Sequence, residues 1–84
     1  MERKILKFSA IWCGPCKQLG SLLQGVDLGI PVENIDAGQD SKSVTDFKVR
    51  TLPTLILIEN GIEVSRITGL TTVDKIKETF NLGD

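Results

Sequence analysis

Histidine and tyrosine are absent from this 84-residue sequence, which holds only two cysteines, one tryptophan and three prolines. Without histidine, Cys/His nucleophilic catalysis and most zinc sites are excluded. Two cysteines alone cannot close a structural zinc site within one chain. An excess of either charge is missing too. Ten Lys and Arg stand against eleven Asp and Glu, a net of −1, so no long-range positive field points to nucleic acid or an anionic membrane. Long apolar runs are missing as well. Met1-Glu2-Arg3-Lys4 leads into a run broken by Lys7, too short for a signal-peptide core or a bilayer span. On this reading nothing directs the chain out of a reducing cytoplasm. There, a lone cysteine pair is more often metal-binding or redox-active than a structural staple. With no repeats, linkers or low-complexity segments, residues 1–84 read as a single domain near the lower size limit for an unstapled core.

What is present centres on Trp12-Cys13-Gly14-Pro15-Cys16, which holds both cysteines and the only tryptophan. Residues Lys4–Ala10 ahead of it read as a strand, with Leu6, Phe8 and Ala10 on one face and Ile5, Lys7 and Ser9 on the other. From about Gly14 the period becomes helical through Leu19, Leu22, Leu23 and Val26, with Pro15 in a first turn that tolerates a missing N–H. Gly20 is a candidate bend, and the helix should fade near Gly25–Gly29.

The remaining chain supplies a sheet around that unit. Ile30–Asp36 is a second strand, and Asp40 is a plausible N-cap for a short helix to about Lys48 with Val44 and Phe47 inward. Leu55-Ile56-Leu57-Ile58 is a continuous apolar run, as in a strand covered on both faces. Asn60-Gly61 signals a hairpin into Ile62–Thr68, where the alternation slips and suggests a bulge near Ser65-Arg66. Thr71 with Asp74 resembles a capping box, and Val73, Ile76 and Phe80 give the last helix its stripe. The predicted class is α/β, with order βαβαββα and a four-stranded mixed sheet flanked by helices on both faces.

The spacing of the cysteines carries the chemistry. Positions i and i+3 of a helix lie roughly 5–6 Å apart at Cβ, within reach of a disulfide. A thiol at the helix start feels unsatisfied N–H groups and the positive end of the dipole, which favour thiolate. Cys13 is therefore the candidate nucleophile, and Cys16, one turn inside, the less exposed resolving thiol. Cys13 would attack a disulfide, and Cys16 would release the product by closing the ring. Chance cysteines, or half of a metal site shared between chains, are the alternatives.

The motif resembles, letter for letter, the active site of thioredoxins. The likeness extends through Asn34-Ile35-Asp36, Leu52-Pro53-Thr54 ahead of an apolar strand, Asn60-Gly61 and Gly69. The chain is shorter than a typical thioredoxin, near glutaredoxin size, and without that family's first strand and helix. The resemblance implies a cis Pro53 facing the cysteines, with the Leu52 main chain pairing to an extended substrate segment. It implies a shallow docking surface completed by Trp12, Gly14, Pro15 and Gly69. It further implies a monomeric cytoplasmic reductant of protein disulfides that binds no cofactor, takes electrons from NADPH through a flavin-containing thioredoxin reductase, and contacts neither nucleic acid nor membrane.

There are two departures. The family usually carries a buried Asp near the resolving thiol, where this chain has Lys7, and a Lys beside it, where this chain has Val32. As Lys⁺ near Cys16, Lys7 would favour thiolate there and make the pair more oxidising. If neutral, it would be a base for Cys16, and if it snorkels to water it only packs its stem. Two other functions fit the same fold: a glutaredoxin-like reductant dedicated to one enzyme such as ribonucleotide reductase, and a non-redox accessory subunit of a larger assembly such as a viral replication complex. Gly14-Pro15 and Gly69-Leu70-Thr71-Thr72 do not resemble the usual glutathione-binding pattern, and an intact cysteine pair is not needed by a scaffold.

Overall fold

The computed structural model describes residues 2–83. The chain forms β1 (Arg3–Ser9), α1 (Gly14–Leu23), β2 (Val32–Asp36), α2 (Ser41–Asp46), β3 (Thr54–Glu59), β4 (Ile62–Thr68) and α3 (Val73–Thr79), the expected order. The strands make one four-stranded sheet, β2-β1-β3-β4. β1 and β2 run parallel, joined through α1, while the β1–β3 and β3–β4 pairs are antiparallel.

Strand alternation sorts the core into two layers. Ile5, Leu55 and Leu57 point to one face of the sheet, where they meet Leu19 of α1, Leu28, and Ile76 and Phe80 at α3. Leu6, Phe8, Ile56 and Ile58 point to the other, against Ile35, Val49 and the α2 side chains Val44 and Phe47. Phe8 and Phe47 meet edge to face with ring centroids 5.9 Å apart, the geometry that aromatic quadrupoles favour. Each fully buried Leu, Ile or Phe in these layers stabilises the fold by about 1.5–3 kcal/mol. β3 is the strand covered on both faces, as its unbroken apolar run predicts.

Several local expectations are corrected. α1 presents only Cys16 and Leu19 as buried residues and runs unbroken through Gly20. Leu22 is 47% exposed, and Val26 lies beyond the helix on the surface. The chain turns at Gly25, with φ +75, and it is Leu28 that returns to the core. α2 ends at Asp46 rather than Lys48. Its N-cap is Asp40, whose carboxylate accepts from the Ser43 N–H at 3.0 Å and the Ser43 hydroxyl at 2.7 Å. Those bonds, from the backbone first and the side chain second, hold the Asp40 carboxyl below its usual range.

The Asn60-Gly61 hairpin has positive φ at both residues, +52 and +83, as a type I′ turn requires. The bulge in β4 falls on Val64, between Glu63 opposite Ile58 and Ser65 opposite Leu57, one residue before its expected place. The cap of α3 is Thr72, not Thr71: its hydroxyl accepts from the Lys75 N–H at 3.1 Å. Position N3 is therefore Lys75, and Asp74 acts through the positive end of the helix dipole instead of through a capping box.

Candidate active site

The parallel β1–β2 pairing sends the chain out of β1 at the edge of the core and straight into α1. Cys13 is the N-cap of α1, with extended backbone (φ −95, ψ 110), and Pro15 occupies its first turn. The Cys13 N–H donates to the Ala10 carbonyl at 3.1 Å, which makes the turn tight. The two cysteines are joined as a disulfide with Cα atoms 5.2 Å apart, within the ordinary range for a bridge. The backbone N–H of Cys16 donates to the Cys13 sulfur at 3.2 Å. On reduction the same N–H and the helix dipole stabilise a thiolate on Cys13. Burial does not distinguish the two thiols, since Cys13 is 6% and Cys16 5% exposed. Position on the helix does.

The second wall comes from the segment before β3. The Leu52–Pro53 peptide bond is cis. Leu52, half-buried, packs against Ala10, Cys13 and Cys16. Pro53 itself is fully buried, so its ring offers no open contact surface, and Leu52 is the residue of this pair that lines the Cys13 cleft. Gly69, at φ +84, donates its N–H to the Pro53 carbonyl at 2.8 Å and ties the end of β4 to the site. Trp12 is 72% exposed, and Gly14 and Pro15 are exposed beside it. These residues are brought to one end of the sheet.

The cysteines open on different clefts. Cys13 lines one of about 390 Å³ with Trp12, Leu52 and Arg50, and with Ala37, Val44 and Val49 as its remaining apolar lining. Cys16 lines another of about 260 Å³ with Ile11, Lys17, Asn34 and Asp36. Lys7 lies on neither. It lines a third cleft, with Gly20 and Leu23 of α1 and the C-cap residue Gln24, and this cleft meets the Cys16 cleft at Asn34. Asn34 lines both clefts and stands where they meet. Among the described residues no three His, Cys, Asp or Glu side chains could together hold a metal ion, and no helix is long and apolar enough to cross a membrane.

Sequence reasoning missed three residues. Ile11, 81% exposed beside the cysteines, lines the Cys16 cleft. Its signal was an apolar residue lying past the end of the strand pattern. Gly38 packs close under the indole. A Cβ there would lie 3.3 Å from Asp36 Oδ1 and 3.9 Å from Trp12 Nε1. Arg50 reaches the Cys13 cleft from a loop with no periodicity to betray it.

Comparison with known proteins agrees with this geometry. A family model described as Thioredoxin matches residues 1–81. A thioredoxin of Chlamydia pneumoniae is 32% identical over 80 residues, covering 92% of this chain and 78% of that protein. Among solved structures, a thioredoxin variant from Halobacterium salinarum superposes with a TM-score of 0.84 at 29% identity, covering 92% of this chain and 70% of that one. A thioredoxin from Nicotiana alata gives a TM-score of 0.84 at 26% identity, covering 99% and 75%. The chain belongs to the thioredoxin family, and its Cys13–Cys16 pair is that of a thiol–disulfide oxidoreductase.

Proposed function

We propose that this thioredoxin-family chain works as a single-domain, monomeric cytoplasmic reductant of protein disulfides. In the reduced form, Cys13 is the attacking thiolate. Its sulfur forms a bond to one sulfur of a substrate disulfide, and the other substrate sulfur leaves as thiolate and takes up a proton. Cys16 then loses its proton and attacks the Cys13 sulfur of the mixed disulfide. The substrate's second thiol is released, and two electrons have passed from the dithiol to the substrate. The Leu52 main chain pairs with the substrate backbone, and Trp12, Gly14, Pro15 and Gly69 complete the docking surface around it. Pro53 acts from below by shaping the turn that carries Leu52.

The observation that carries this reading is the Cys13 sulfur at the start of α1, receiving the Cys16 N–H at 3.2 Å beside Leu52. A donor at that point lowers the energy of the nucleophilic form. Recharging is assigned to a flavin-containing thioredoxin reductase drawing on NADPH, with no cofactor bound by this chain. The test is turnover of a protein disulfide with NADPH and thioredoxin reductase, run beside an assay with NADPH, glutathione reductase and glutathione. Turnover in the first and little in the second is expected. The reverse result would make the chain a glutaredoxin-like reductant, and failure of both would remove the reductase reading.

A further inference from the structure

The two clefts beside the disulfide differ in charge. The Cys16 cleft carries one residue of each sign, Lys17 and Asp36. The Cys13 cleft carries one charged residue only, Arg50, on an otherwise apolar lining from Trp12, Ala37, Val44, Val49 and Leu52. Arg50 is exposed and makes no ion pair among the described residues. Lys17 belongs to the Cys16 cleft and not to this one. Arg66 is held by both carboxylate oxygens of Glu63 and by the Phe47 carbonyl. Lys42 is paired with Asp46.

We propose that Arg50 is a specificity-determining residue, selecting disulfide substrates that present an Asp or Glu beside the cysteine that Cys13 attacks. The inference rests on the reductase reading above and adds a substrate preference to it. A substrate strand paired to the Leu52 main chain runs across the mouth of this cleft, because Leu52 and Cys13 both line it. A neighbouring carboxylate on that strand then meets an uncompensated guanidinium whose planar fork can take both of its oxygens. A Lys at the same place meets a like charge. Apolar walls strengthen either interaction by excluding water from one side. Charges at the margin of a docking site act mainly on encounter and partner choice, so the effect belongs in kcat/KM rather than in the chemical step.

The experiment uses reduced protein and three disulfide-bridged peptides that differ only in Glu, Gln or Lys beside one half-cystine. Oxidation is followed by fluorescence of Trp12, the only tryptophan. The wild type is expected to favour the Glu over the Lys peptide by about three- to tenfold at low ionic strength. The ratio should fall towards one in Arg50→Gln, invert in Arg50→Glu, survive in Arg50→Lys at a reduced value, and shrink in 0.5 M salt. The rate of Cys13 alkylation by neutral iodoacetamide serves as the control for thiol activation. A Glu/Lys ratio that is the same in wild type and Arg50→Glu would overturn the proposal, even if alkylation changed. A wild type that reduces none of the three peptides would instead sink the reductase reading itself.

Discussion

The backbone N–H of Cys16 points at the sulfur of Cys13 from 3.2 Å, so the residue that resolves the mixed disulfide also supplies a donor to the residue that begins it. The bond exists because Cys13 is the N-cap of α1 and Cys16 is its third residue, the place where a capping group normally accepts. Sulfur here takes the role that a Ser or Asp oxygen takes elsewhere. A thiolate fills it better than a thiol does.

This arrangement makes the two cysteines unequal in a way that substitution should reveal. Cys13→Ser is expected to reduce disulfide turnover to background. Cys16→Ser should still attack once and then stall, accumulating a mixed disulfide of protein plus substrate visible by mass spectrometry. Accumulation with Cys13→Ser instead would exchange the roles.

Two leucines of one helix should give opposite results in stability measurements. Leu19 is fully buried beneath α1 while Leu22 is 47% exposed. Leu19→Ala is expected to cost about 2–5 kcal/mol in chemical denaturation. Leu22→Ala should stay within about 0.5 kcal/mol. Equal losses would mean that the stripe read from sequence, which included both residues, describes the folded helix better than the buried face does.

Gly61 sits at φ +83 in the β3–β4 turn, where a Cβ crowds the following carbonyl. Space is not the obstacle, since nothing lies within 4 Å of a Cβ built there. Gly61→Ala is therefore expected to destabilise by about 1–2 kcal/mol through backbone conformation alone. The check is the denaturation midpoint, with the disulfide kept oxidised throughout.

Acid should loosen the cap of α2. The Asp40 carboxyl is held below its ordinary value of 3.8 by the Ser43 backbone bond first and the Ser43 hydroxyl second. A carboxyl whose folded pKa is depressed contributes stability above its unfolded pKa and loses it as pH falls through the folded value. Asp40→Ala should melt below wild type at pH 7, and the gap should begin to narrow as pH falls below about 3.8. Asp40→Asn keeps an acceptor for Ser43, so its gap to wild type at pH 7 should be smaller than that of Asp40→Ala. A gap for Asp40→Ala that stays unchanged however far the pH falls below 3.8 would remove the ionised cap as its source.

Lys7 stands where the thioredoxin resemblance implies a carboxylate, and the cleft it lines meets the Cys16 cleft at Asn34. Lys7→Met removes the charge and keeps the stem. The reduction potential is expected to become more negative, by less than about 30 mV, which corresponds to roughly 1.4 kcal/mol. Identical potentials in the two proteins would limit Lys7 to packing.

Much of this protein is local in its sequence. The order of elements, the Asn60-Gly61 turn and the Asp40 cap follow from short-range rules, since periodicity, positive φ and capping are decided within a few residues. The dithiol and its helix-end activation follow in the same way, because Cys13 and Cys16 are neighbours on one turn. Tertiary structure decided what distance along the chain concealed. Leu28 rather than Val26 enters the core because a Gly25 turn reverses the chain. Thr72 rather than Thr71 caps α3, its hydroxyl accepting from the Lys75 N–H. Leu52 and Arg50 meet Cys13 only because β1 and β3 pair side by side and bring the loop before β3 to the start of α1. The reacting atoms are written in five consecutive residues; the surface that selects a substrate for them is assembled by the sheet.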